Sequence, residues 1–148
     1  MVERLTVVDD DVVAALNRLL PQLSNGAREI TAQALREIVE TPGTVLFVAR
    51  VSGDVVGSVT VVVYDIPSGT HAWLEDVVVD ASARGAGVGE ALVRAALAEA
   101  ESLGARTVDL TSSPSRQAAI RLYERVGFRR RETSVFRYTA DGEEGPEV

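Results

Sequence analysis

The chain has 148 residues, enough for one domain with a sizeable core and too few for two well-buried ones. Hydrophobic residues make up 46% and charged residues 25%, a globular rather than a disordered composition. The net charge is −7 and all 15 positive residues are arginines, which disfavours bulk nucleic-acid binding and excludes a Schiff-base lysine, a phosphate-loop lysine and an internal lysine acceptor.

Met1-Val2-Glu3-Arg4 lacks a basic segment leading into an apolar one, and no apolar run reaches the roughly 18 residues of a membrane span. A cytoplasmic location without membrane contact is the expectation. Residues 3–8 read as a short strand ended by Asp9-Asp10-Asp11, acids that cap and complement a helix start. Val12, Val13, Leu16, Leu19, Leu20 and Leu23 then recur at helical spacing. After a loop at Ser24–Ala27, Leu35, Ile38 and Val39 mark a second amphipathic helix before Thr41-Pro42-Gly43.

From Thr44 the pattern becomes β-branched: Val45–Val51, a turn at Ser52-Gly53-Asp54, Val55–Tyr64, a turn at residues 65–69, and His71–Val79. Three antiparallel strands are expected. A Gly-rich segment follows, then a helix through Leu92, Val93, Ala96, Leu97, Ala100 and Leu103 that stops at Gly104, and a buried strand at Thr107–Leu110. Strand, glycine turn, helix and strand make one βαβ crossover. Ser115–Val126 is the last expected helix, Phe128–Arg131 and Thr133–Tyr138 the last two strands. Residues 1–140 are thus expected to form one domain and the acidic stretch 141–148 a flexible tail.

With no Cys and one His, a metal cluster and a thiol nucleophile are excluded or disfavoured, and no metal is expected. The chemical signal lies at Arg84-Gly85-Ala86-Gly87-Val88-Gly89. There three glycines between a strand and a helix let backbone N–H groups converge on an anion. The helix dipole adds ~0.3 to 1 kcal/mol for such a ligand, and Arg84 can contact it or brace the loop. A bare βα turn that binds nothing uses the same residues. The dinucleotide fingerprint requires glycine where Glu90 stands, and the P-loop requires a Gly-Lys-Ser/Thr ending; neither fits.

The segment matches R-x-x-G-x-G through Arg84, Gly87 and Gly89, behind the apolar strand Val77-Val78-Val79. Together with Leu122-Tyr123-Glu124-Arg125-Val126-Gly127-Phe128, similar to an L-Y-x-x-x-G-F pattern, it resembles the GNAT superfamily of acyl-CoA-dependent N-acyltransferases. The likeness covers about residues 44–138. It implies an α/β fold with a mixed, mostly antiparallel sheet of about seven strands and about four helices, splayed between strands 4 and 5.

The resemblance implies residue roles as well. Val77, Val78 and Val79 would offer main-chain groups to a pantetheine arm in the splay. Gly85, Ala86, Gly87, Val88, Gly89 and Glu90 would surround the pyrophosphate of acetyl-CoA, the cosubstrate. Tyr123 matches the tyrosine that protonates the departing thiolate, the alternative being a packed core tyrosine. Arg116 stands where relatives often carry a cofactor-contacting Asn, and could reach a phosphate instead. An ammonium must lose its proton before it attacks. Glu75 is the candidate base, placed by alternation on one strand face with Val77 and Val79, with Asp76 on the other; a surface or substrate-orienting carboxylate is the alternative. Another branch carries its catalytic Glu where this chain has Thr111.

His71 and Arg129–Arg131 read as surface residues, and Trp73 and Tyr64 as acceptor-cleft, core or dimer-packing aromatics. Acetyl transfer to a primary amine, on a small molecule or a peptide, is the expected activity of a monomer or homodimer. A non-catalytic acyl-CoA-binding or sensing module is the alternative. The acceptor's identity would be set by residues 21–28, the turn near Pro67 and the Glu132 region.

Overall fold

A computed structural model describes residues 1–141; the remainder of the expected tail lies outside the described residues. A five-stranded sheet runs in chain order: β1 (Val2–Arg4), β2 (Thr44–Val51), β3 (Asp54–Ile66), β4 (Gly69–Val79) and β5 (Thr107–Asp109). Neighbours pair antiparallel through β4, and β4 pairs parallel with β5. The helices are α1 (Asp10–Leu19), α2 (Ala32–Glu40), α3 (Val88–Ser102) and α4 (Gln117–Val126).

Local chemistry accounts for most boundaries. Asp9 caps α1 by accepting from the Val12 N–H at 2.9 Å, and Thr31 caps α2 by accepting from Ala34 at 3.1 Å. Sequence periodicity carries the first helix to Leu23, but Pro21 has no N–H and crowds the preceding turn. The α-helix therefore stops at Leu19 and a 3₁₀ turn, Leu20–Gln22, follows. The strand expected at 3–8 is also shorter. Ladder pairing with β2 ends at Arg4; Leu5 still donates to the Leu46 carbonyl at 2.8 Å, and its side chain is buried in the core layer with α1. The β2–β3 turn places Ser52 and Gly53 both at positive φ, 52° and 86°, the twist a two-residue hairpin needs.

Alternation divides the core into two layers. Val45, Phe47, Val59, Val61 and Leu74 face α3 and α4, with Leu92, Val93, Ala96 and Tyr123. Leu46, Val48, Val55 and Val78 face α1 and α2, with Val12, Leu16, Leu19 and Leu35. Complete burial of one such Leu or Val contributes roughly 1.5–3 kcal/mol.

The two last expected strands are absent, so the sheet has five strands rather than about seven. Residues 129–138 are all exposed, with Val135 at 73%, Phe136 at 91% and Tyr138 at 90%. A strand needs an edge to take its N–H and C=O groups. Thr133 and Val135 line a cleft with Thr107–Ser112, but the segment makes no ladder with β5.

Candidate active site

The site is built on an irregularity in β4. Ser58 pairs with Val78 and Thr60 with Glu75, so Asp76 and Val77 together oppose Val59. Asp76 takes up this extra residue at φ 50°, a left-handed conformation that Asp tolerates better than most side chains. The bulge reverses the alternation. Val77 and Val79 join Leu74 on the α3/α4 face, whereas Glu75 shares the other face with Trp73 and Val78. The expected common face of Glu75, Val77 and Val79 is therefore corrected: the bulge places Glu75 opposite both.

β5 leaves β4 at the same level. Pairing covers only His71–Trp73 of β4, against Thr107–Asp109, so from Leu74 onward β4 has a neighbour on one side only. A cavity of about 750 Å³ opens there, lined by Val77–Val79, the glycine turn and α4. It gathers Val77, Val78, Val79, Arg84, Gly85, Gly87, Val88, Gly89, Glu90, Arg116 and Tyr123 of the residues expected from the sequence. Ala86 sits in the turn but not on the cavity wall, and Glu75 also lies outside it.

Gly85 and Gly87 both adopt left-handed conformations, φ 83° and 80°, and a Cβ at either would meet nothing. Conformation rather than space selects glycine here, at ~1–2 kcal/mol for any other residue. Gly87 is the N-cap of α3 and supplies no side-chain cap, leaving first-turn N–H groups for an anion. Gly89 has another task. A Cβ there would stand 2.9 Å from Leu122 Cδ1, so this glycine lets α4 approach α3. Arg84 braces the turn, its Nε donating to the Val79 carbonyl at 3.1 Å.

Charge around the cavity is arranged for a polyanion. Arg84, Arg116, Arg121 and Arg125 line it. Glu90, the acid on the wall, is bound by Arg125 at 2.9 Å and by Arg94 at 3.4 Å. Its carboxyl is lowered below the ordinary value by these two hydrogen bonds, Arg125 first. Tyr123 is 6% exposed and packs edge-on against Phe128, with ring centroids 5.9 Å apart. Burial raises its hydroxyl above the ordinary tyrosine value, and the charge of Arg116 pulls it partly back.

Across the sheet, Tyr64, His71, Trp73 and Glu75 share the face that carries α1 and α2. Trp73 Nε1 donates to the Tyr64 hydroxyl at 2.9 Å, and Tyr64 stacks on His71 with centroids 6.1 Å apart. Loss of solvation raises the Glu75 carboxyl, and the charge of Asp76 raises it further; Asp76 is itself raised by loss of solvation.

Sequence reasoning missed Gln22, Arg121 and Arg125. Gln22 lines the cavity, accepts from the Ala81 N–H at 3.1 Å and donates to Asp80 at 3.5 Å. With the Arg18–Asp80 pair at 3.7 Å, it ties the end of α1 to the strand exit before the glycine turn. No local signal announces a contact made 59 residues away. Arg121 and Arg125 were readable, because i and i+4 on one helix share a face.

Among solved structures, an aminoglycoside acetyltransferase from an uncultured soil metagenomic sample superposes with TM-score 0.82 at 21% identity, over 94% of this chain and 95% of that one. Glucosamine-6-phosphate N-acetyltransferase from Arabidopsis thaliana gives TM-score 0.77 at 23% identity, over 93% and 97%. The aminoglycoside N-acetyltransferase AAC(6')-Iy in complex with CoA gives 0.76 at 20% identity, over 95% and 94%. At these identities the likeness is one of fold. A comparison with proteins of curated function returns no match. Among the described residues no helix is long and apolar enough to cross a membrane. The sequence model of the acetyltransferase (GNAT) family matches residues 12–128, and with the splayed strands and glycine turn already in place, the chain belongs to the GNAT acetyltransferase family.

Proposed function

We propose that the protein transfers the acetyl group of acetyl-CoA directly to a primary amine, on a small molecule or a peptide. The observation that carries this reading is the single cavity joining the glycine turn, the unpaired end of β4 and Tyr123. A volume of about 750 Å³ lies within the usual range of ligand sites, roughly 300–1,000 Å³. Its arginines and helix N-terminus suit phosphates, and its Val77–Val79 wall suits an amide-containing arm.

The bulge gives the reaction two sides. On this reading the thioester lies in the cavity beside Tyr123, and the amine approaches from the opposite face of the sheet, where Glu75 stands. In this mechanism Glu75 takes a proton from the ammonium, directly or through water. The freed nitrogen attacks the thioester carbonyl, and a main-chain N–H near Val77 stabilises the oxyanion. As the C–S bond breaks, the Tyr123 hydroxyl gives its proton to the sulfur, so that CoA leaves as a thiol. A raised hydroxyl keeps that proton available at neutral pH, and Arg116 steadies the transient phenolate. Proximity supplies the rest, and no covalent enzyme intermediate forms. The AAC(6')-Iy structure, which holds CoA on the same fold, supports the choice of cosubstrate. Aminoglycoside and amino-sugar acetyltransferases among the neighbours support small amines as first acceptors to try.

Thiol release from acetyl-CoA, followed with a panel of small amines and peptides, tests the proposal. Turnover with at least one amine is expected. Acetyl-CoA binding without turnover on any acceptor would favour a sensing module, and no binding at all would remove both readings.

A further inference from the structure

Among the described residues, Gln22 is the one ahead of Val77 that lines the acetyl-CoA-sized cavity. It ends the 3₁₀ turn that Pro21 imposes after α1, so it comes from the helical layer opposite α3 and α4. Arg18, one turn earlier, donates to the Val55 carbonyl at 2.8 Å and stands 3.7 Å from Asp80. Asn17 holds the far end of the following loop. It accepts from the Ile30 N–H at 2.8 Å and donates to the Ile30 carbonyl at 3.0 Å. Between these anchors residues 25–29 are all exposed, so the near end of the loop depends on Gln22.

The Gln22 carboxamide is only half used. Its oxygen accepts from the Ala81 N–H at 3.1 Å, whereas its nitrogen lies 3.4 Å from the Arg18 carbonyl and 3.5 Å from Asp80 Oδ1. N–H···O bonds centre on about 2.9 Å, so both donors are held at the outer limit. A primary amide has two donors and can accept twice. Here the acceptor side fixes the group and the donor side is left for a nearer oxygen. Gln22 meets the chain at Asp80–Ala81, between the Val77–Val79 wall and the glycine turn, and all three border the same cavity.

We propose that Gln22 donates a hydrogen bond to an oxygen of bound acetyl-CoA and thereby fastens the end of α1 to the ligand. This contact rests on the reading of the cavity as the acetyl-CoA site. The oxygen belongs to the pyrophosphate or to a pantetheine carbonyl, each of which accepts from an amide N–H. Binding replaces two long hydrogen bonds by one of ordinary length, and the turn that carries Gln22 is held more tightly. The Leu23 and Ser24 N–H groups, bonded to the Leu20 carbonyl at 3.0 and 3.1 Å, report on that turn. The coupling is reciprocal, because whatever steadies residues 22–24 strengthens acetyl-CoA binding by the same factor.

Calorimetry and amide hydrogen exchange with CoA and with pantetheine, on the full chain and on Gln22→Met and Gln22→Glu, test the contact. Methionine keeps the length of the side chain and loses both donors. Glutamate keeps an acceptor for Ala81 and puts a charge where the donors were. Gln22→Met is expected to bind CoA about 3- to 10-fold more weakly, and Gln22→Glu more weakly still. Pantetheine identifies the oxygen: an equal loss in Gln22→Met assigns the carbonyl, and no loss assigns the phosphate. In the unaltered chain CoA should slow exchange at 22–24 as well as at 84–90, but in Gln22→Met at 84–90 only. Two results would overturn the proposal. One is a Gln22→Met affinity for CoA within about twofold of the unaltered chain, with only the melting temperature lowered, as a purely structural role requires. The other is CoA-dependent protection of 22–24 that persists in Gln22→Met. Both would leave the acetyl-CoA site standing, whereas no CoA binding by the unaltered chain would remove the site and the contact together. None of these readouts requires acetyl transfer.

Discussion

Tyr123 and Glu75 stand on opposite faces of one sheet, and their environments push both protons toward retention. For the tyrosine that is useful, since an acid must hold its proton until the thiolate forms. Tyr123→Phe should lower kcat by about 10²-fold or more while leaving acetyl-CoA affinity nearly unchanged, as kinetics and calorimetry on the same sample would show. For Glu75 the sign is reversed. A base acts only when ionised, so a raised carboxyl moves the acid limb of kcat upward, and the rate rises with pH through that raised value. Glu75→Gln should abolish the limb; a pH profile that keeps it would assign the proton to another group. Asp76 supplies a stability counterpart. Its carboxyl is raised in the folded state, so its contribution is fully present below the unfolded aspartate value and is lost as pH rises through the folded one. Asp76→Asn, which tolerates the same left-handed backbone, should raise the melting temperature at neutral pH and change it little in acid. None of this was legible from alternation, because nothing around Asp76 announces an extra residue in the strand.

Elements divide into those specified locally and those that need a partner. α3 was readable from its apolar period and from Gly104 beyond its end, and the β2–β3 hairpin from Ser52-Gly53. The glycine turn was readable as a turn between strand and helix, but its glycines do different work. Gly85 and Gly87 answer to backbone conformation, Gly89 to the approach of α4. Gly89→Ala meets the end of the Leu122 side chain, which can swing aside, and gains alanine's better helix propensity, so it should change stability by less than about 1 kcal/mol while pushing Leu122 outward beside Tyr123. Gly87→Ala should lower stability by about 1–2 kcal/mol through its left-handed backbone and, on the proposed reading, raise the KM for acetyl-CoA as well. Urea denaturation and acetyl-CoA titration of both variants separate the two effects. Residues 133–138 are the opposite case. Their composition states that they can be a strand, but strand formation depends on an edge that no window of sequence contains.

At the scale of the whole molecule, two helical layers flank a sheet that is continuous on one side and parted on the other, and the parting holds the cofactor-sized cavity. A ligand that binds only this folded arrangement stabilises it by mass action. Acetyl-CoA at about 100 times its Kd should add ~2.7 kcal/mol, or about 5–10 °C in melting temperature for a chain of this size. No shift at saturating acetyl-CoA would argue against the cavity as its site. The family, the crossover and most of the cavity wall were legible because they reside in short motifs. The five-stranded sheet and the Gln22 tie to Ala81 were not, because both depend on which distant segments meet. One placement also provides an optical handle. Trp73, the protein's only tryptophan, forms part of the wall of the cleft beside β5 and donates its indole N–H to Tyr64. Its fluorescence therefore comes from one known position, and filling that cleft would exclude water from the indole and move the emission to shorter wavelength. The unlabelled protein carries its own spectroscopic reporter of how the edge of its sheet is occupied.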